Sequence, residues 1–207
     1  MVMFKQLLFI ILTFTFFFSL NSTLEKNLKK SNNLRIILPD KYISLLSNGY
    51  KDILSSILWI DLIQNSSTTK DHDPFEINRS INISELSPYF HFNYKYNGLM
   101  LSVAKDQFLN ANKLLNNGLK YFIDDFDFLF QIGFNNLFLI KNTARGLYYF
   151  KHIYEKKIYA KHNKYFPLMY SKAIKRYGNV ETAREILLQN YIKLKDPRLL
   201  NILESWK

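Results

Sequence analysis

The chain has 207 residues, 48% of them hydrophobic and 16% aromatic, enough apolar side chain for one ordinary core and too much for a disordered segment. It has no cysteine, which excludes disulfides, zinc–thiolate sites and thiol nucleophiles; six Gly and five Pro are too few for the closely spaced turns of an all-β fold. The net charge of +11 is uneven: residues 1–140 carry 13 basic and 12 acidic side chains, residues 141–207 carry 15 and five. Lys supplies 22 of the 28 cations, beside abundant Asn, Ile, Phe and Tyr. That bias fits AT-rich coding, which raises Lys without a ligand, so nucleic acid is the secondary reading of the charge.

In chain order, Lys5 precedes an uncharged run from Leu7 to Leu20. Its 14 residues suit the apolar region of a signal peptide and fall short of the ~20 that span a bilayer comfortably. Residues 1–22 are therefore expected to be a signal peptide or a membrane anchor, with a poor cleavage site after Ser22. Lys26, Lys29, Lys30 and Arg35 just beyond the run oppose translocation, since positive charge is retained on the cytoplasmic side. Export or membrane anchoring in a bacterial cell envelope is nonetheless the expected location.

Residues 23–38 read as a polar tether and 39–87 as leader helices, with a polar loop over Gln64–Asp73 and a helix opened by Pro74. From Pro88 the pattern predicts helices in pairs: Tyr89–Val103 with Gln107–Phe122, Phe126–Ile140 with Ala144–Tyr159, and Tyr165–Tyr177 with Glu181–Leu194. Asp125 is placed to cap the third of these helices, and Asp196-Pro197 starts a last one ending at Trp206. No period-2 run is bounded by turn dipeptides, so the expected class is all-α.

Small residues punctuate these pairs. Ala111, Ala144 and Ala183 recur at intervals of 33 and 39, each on the second helix of a pair. Gly98, Gly133 and Ser171 supply small positions on the first helices, among the bulky Tyr94, Leu129 and Ile132. Leu115 and Gly118, Tyr148, and Leu187 extend the second-helix faces, and Tyr177–Ala183 forms a compact turn between the last two. These residues resemble tetratricopeptide (TPR) repeats, arrays of about 34-residue helical hairpins, over roughly residues 88–197, within an array expected to span 88–207. The 39-residue interval implies an insertion near Lys156–Lys164.

Gly49-Tyr50, Leu58-Trp59 and Leu86-Ser87-Pro88-Tyr89-Phe90 further resemble the leader of a group of exported or membrane-anchored bacterial TPR-like proteins, with Ser87 where that group has Asp. Trp59 is then expected to pack the leader against the array.

The resemblance implies a short α-solenoid acting as a non-enzymatic scaffold for a protein or peptide. Its concave face would use Lys95 and Leu99 in the first unit, Phe130, Phe134 and Leu137 in the second, and Lys172, Lys175 and Arg176 in the third. Such a groove would be apolar in the middle and basic at one end, suited to a peptide with apolar anchors and acidic groups. The rival reading is nucleic-acid or anionic-surface binding by Tyr148, Tyr149, Tyr154, Tyr159 and Tyr165 interleaved with Lys.

No phosphate loop, H-E-x-x-H or G-x-S-x-G motif occurs, so no catalytic or cofactor residue is nominated. His72, His91, His152 and His162 lack metal-ligand spacing. Asp124, Asp125 and Asp127 lack the glycine and distal Glu of a calcium loop and read as helix capping. Asp71-His72-Asp73 reads as a solvated cluster in a polar loop.

Overall fold

The computed structural model describes residues 49–65, 74–177 and 179–206, all within the compact unit Asp40–Lys207. The expected signal or anchor segment, the tether, the start of the leader and Asp71-His72-Asp73 lie outside the described residues. Among the described residues every regular element is helical, so this part of the chain is all-α. No helix among them is long and apolar enough to cross a membrane.

The helices are α1 (Lys51–Asn65), α2 (Pro74–Leu86), α3 (His91–Leu99), α4 (Phe108–Gly118), α5 (Phe126–Phe134), α6 (Thr143–Glu155), α7 (Phe166–Arg176), α8 (Val180–Leu194) and α9 (Pro197–Glu204). Each packs on the next in sequence, and α3 also meets α5 directly. Side-chain oxygens fix several starts: Asp125 accepts from Phe128 N, Asn142 from Arg145 N, Asn179 from Thr182 N and Asp196 from Arg198 N. The expected Asp125 cap is thus formed.

Two hairpins share one unusual ending. Helix α3 continues into a π-helical turn, Met100–Ala104, and α5 into another, Asn135–Leu139. In the first, Lys105 N bonds Met100 O and Gln107 N bonds Leu101 O; in the second, Ile140 N bonds Asn135 O and Asn142 N bonds Asn136 O. Asp106 and Lys141 follow in the left-handed region, with φ of 56° and 62°. Every one of these features repeats after 35 residues.

The same spacing corrects the alignment of the small residues. Ala144 is exposed at the second position of α6. Gly146 occupies the inward site, where a Cβ would come within 2.4 Å of Leu137 Cγ and 2.8 Å of its backbone N. Ala111, Gly146 and Ala183 each hold the fourth position of a returning helix, and each donates its N–H to the cap carbonyl, of Gln107, Asn142 and Asn179. The intervals are therefore 35 and 37. Four residues on, Leu115, Phe150 and Leu187 are all completely buried, whereas Tyr148, matched to this face in the sequence, is 66% exposed.

Helix α4 stops at Gly118 rather than Phe122, because Gly118 is wedged between Tyr94 and Phe128 and Phe122 folds back edge-on against His91 and Phe128. Helix α6 ends at Glu155 instead of Tyr159. Lys157 turns left-handed there, and a 3₁₀ turn, Ile158–Lys161, carries Tyr159 into the core. Trp59 of α1 meets Phe90 and Tyr96 edge-on, each at 5.3 Å, and so joins the leader to α3 as expected. The core runs through all three hairpins, with Phe128, Phe150 and Phe166 completely buried.

Candidate functional site

The outer faces of α3 and α5 and their π turns enclose an open cavity of about 280 Å³. Lys95, Leu99, Phe130 and Phe134, four of the eight residues nominated from the sequence, line it together. They occupy equivalent places in the 35-residue repeat: Lys95 with Phe130, and Leu99 with Phe134. Val103 and Leu139, one from each π turn, complete the apolar wall. Leu99 is 53% exposed and Val103 68%, while Phe134 and Leu139 show more than a third of their surface.

Phe130 anchors this wall to the core. It stacks on Phe126 at 5.6 Å and on Phe150 at 5.7 Å, and Phe134 continues the row at 6.2 Å. The site is therefore held by a packed aromatic row rather than by a loop.

The cavity floor is polar and internally satisfied. Ser102 Oγ donates to Gly98 O at 2.6 Å and accepts from Gln131 Nε2 and Asn135 Nδ2 at 3.0 and 3.1 Å. Asn135 Nδ2 also donates to Asn112 Oδ1 at 2.9 Å. Ser102 is thus a structural hydroxyl bonded back to the preceding helical turn. At one end Lys95 Nζ pairs with Asp127 Oδ2 at 2.5 Å, so this lysine faces a carboxylate already.

The remaining nominated residues lie elsewhere. Leu137 is 1% exposed and packs against Gly146 inside the second hairpin, which removes it from any groove. The cause is the π turn. In an unbroken α-helix, residues 130, 134 and 137 share a face; the wider turn shifts the phase by about one residue, so 137 points inward and 139 reaches the surface. Lys172, Lys175 and Arg176 of α7 do not line the cavity. Lys172 is exposed, Lys175 Nζ lies over the Trp206 ring at 4.5 Å, and the Arg176 guanidinium lies 5.8 Å from the Tyr177 ring. The expected basic end is therefore separate from the apolar groove.

Sequence reasoning missed Val103, Leu139, Ser102, Gln131 and Asn135. A 35-residue internal alignment would have paired the two π turns, although nothing in Met100–Ala104 or Asn135–Leu139 announces that geometry.

The three aspartates tie this region together. Asp125 Oδ2 meets His91 Nε2 at 2.8 Å, Asp124 Oδ1 meets His152 Nε2 at 2.6 Å, and Asp127 takes Lys95. His162 stacks on Phe126, nearly parallel at 5.0 Å. Among the described residues no group of three or more metal-ligating side chains gathers.

The interleaved tyrosines are largely engaged inside the protein. Tyr149 is buried and donates to Asn116 Oδ1; Tyr154 and Tyr159 stack on each other at 5.9 Å; Tyr165 donates to Asp196 Oδ2. Tyr148 alone of the five is strongly exposed. A row of free rings for stacking nucleobases is not formed by these residues.

No protein-family model, curated protein or solved structure matches the chain.

Proposed function

We propose that the chain is a short array of TPR-like helical hairpins that holds a partner protein by an apolar segment laid in the groove between α3 and α5. The observation that carries this reading is the row of exposed Leu99, Val103, Phe134 and Leu139 around a preformed cavity of about 280 Å³. Apolar walls over a satisfied polar floor favour an apolar side chain that needs no partner for a charge. Two hairpins repeating at 35 residues, with small residues at matched close approaches, support the TPR-like architecture.

The partner is met at the membrane or outside the cytoplasm in this proposal, on the strength of the Leu7–Leu20 run alone. The groove reading departs from the sequence expectation in one respect: the segment held is apolar, with no requirement for acidic groups, because Lys95 is paired with Asp127.

Photo-cross-linking in intact cells tests it. A benzophenone side chain at Val103 or Leu139 of the full chain should yield a discrete protein adduct that the same probe at Leu188, an exposed position on α8, does not. Equal labelling from Leu188, or no adduct from either groove position, would reject the groove as the contact surface.

A further inference from the structure

We propose a second binding site, for a small ligand that presents a carboxylate on an apolar body, in a cavity of about 430 Å³ between the end of α6, the 3₁₀ turn and α8. Lys157 and Tyr159 bring to it the Lys156–Lys164 stretch, where the last repeat departs from the 35-residue spacing.

The decisive group is Asn190. The residue lines the cavity and is 5% exposed, and its Nδ2, itself buried, has no hydrogen-bond partner among the described residues. A buried amide N–H without an acceptor is rare in folded proteins and calls for one.

The surroundings specify which acceptor. Lys157 and Lys193 contribute two ammonium groups, and Lys193 Nζ lies 5.8 Å from the centroid of the Tyr159 ring. Tyr154 donates its hydroxyl to Gln189 Oε1 at 2.9 Å, which leaves the Gln189 amide nitrogen as a further donor. Burial raises the pKa of both Tyr154 and Tyr159, so neither phenol adds negative charge near neutrality. The one carboxylate in the lining, Glu155, lies 3.6 Å from Lys151. With Glu155 beside Lys151, Lys157 and Lys193 leave the lining net positive, which suits an anionic group. Tyr159, Pro167 and Ile186 supply an apolar wall for the rest of the ligand. The two oxygens of a carboxylate can accept from Asn190 Nδ2 and a lysine together.

Such a carboxylate could belong to a free organic acid or to the end of a peptide chain. Three probes separate these on the full chain: benzoate, neutral benzamide, and N-acetyl-alanyl-phenylalanine with a free C-terminus. Thermal shift and the Asn190 side-chain NH₂ resonances are the readouts. Benzoate should raise Tm and move those resonances, and benzamide should do neither. Tighter binding of the dipeptide than of benzoate would assign the site to chain ends, and the reverse to free acids; either order supports carboxylate recognition.

Asn190→Leu removes the unpaired donor at similar volume. It should raise the Tm of the free protein while abolishing the benzoate response. Lys193→Gln, at an exposed position that leaves the core intact, should weaken binding about tenfold or more. The proposal is overturned if benzoate and the dipeptide produce no response, as for a cavity holding only water. It is equally overturned if benzamide matches benzoate, or if Asn190→Leu and Lys193→Gln respond like the parent protein.

Discussion

Gly133 on α5 lies so close to Phe150 on α6 that a Cβ built on it would come within 2.5 Å of the ring. The neighbour is a rigid aromatic ring, whereas the corresponding contact of Gly98, at 2.7 Å, is with the branched side chain of Leu115, which is equally buried but can change rotamer. Alanine would gain up to about 1 kcal/mol in helix propensity at either site. Overpacking a rigid contact costs about 1–3 kcal/mol and outweighs that gain. Gly133→Ala should therefore lower stability in urea denaturation by more than Gly98→Ala does.

Gly146 tests the repeat register itself. Its missing Cβ would meet the backbone nitrogen of Leu137, which has no rotamer by which to escape. Gly146→Ala is expected to be the most destabilising of the three glycine substitutions. Ala144→Leu, two residues earlier and exposed, should stay within about 0.5 kcal/mol of the parent chain. If Ala144→Leu were the damaging change, the 33-residue alignment would be right and the 35-residue one wrong.

That contrast shows how much of the molecule was legible in the sequence. Helix starts were readable because their signals are local: Asp125, Asn142 and Asn179 cap by side-chain oxygens, and Pro74 and Pro197 fit first turns. The π turns were not, since their stabilising bonds draw on residues distant in sequence, such as Ser102 with Gln131 and Asn135. Consequently half of the nominated residues reach the groove. Lys95, Leu99, Phe130 and Phe134 precede the π turns, where the 3.6-residue phase still holds, and Leu137 lies within one, where it fails. Lys172, Lys175 and Arg176 were displaced by a different cause: α7 ends without a π turn, and its basic residues lie over Trp206, over Tyr177 or in solvent.

A buried ion pair joins the leader to the first hairpin. Lys105 Nζ lies 3.2 Å from Glu76 Oε1, with the two side chains 1% and 7% exposed. Removing one member of such a pair costs about 3–5 kcal/mol, because the other charge stays buried without its counterion. Glu76→Ala should lose that much in chemical denaturation. The double substitution with Lys105→Met should recover a large part of it, since no buried ammonium then remains.

Alkaline pH should destabilise the fold through Tyr94 and Tyr170. Burial pushes both phenols up to about 12, with Glu155 and, once it ionises, Tyr154 adding to the effect at Tyr170. A raised folded-state pKa means the neutral phenol is favoured in the native protein. The corresponding stability is fully present below the unfolded value near 10 and is lost as pH rises from 10 through 12. For Tyr94 this amounts to about 2–3 kcal/mol. Tyr94→Phe should flatten that alkaline loss, while at neutral pH it forfeits the hydrogen bond to Pro88 O at 3.2 Å, worth about 1 kcal/mol. Stability measured from pH 8 to 12 checks both parts, and an equally steep alkaline loss in the variant would contradict the assignment.

Leu99 and Leu137 were nominated for the same surface and should behave oppositely. Leu137 fills the space left by Gly146 and is completely enclosed, so Leu137→Ala removes buried methyl groups and leaves a cavity. The expected cost is about 2–5 kcal/mol, with little change in the groove. Leu99 has more than half its surface in solvent, and Leu99→Ala should change stability by no more than about 0.5 kcal/mol. The binding readout inverts this order: yield of the adduct formed from a benzophenone at Leu139 should fall in Leu99→Ala at temperatures where both variants remain folded. Leu137→Ala should preserve it there. A loss of adduct confined to the Leu137 variant would place the contact surface inside the second hairpin and reject the groove.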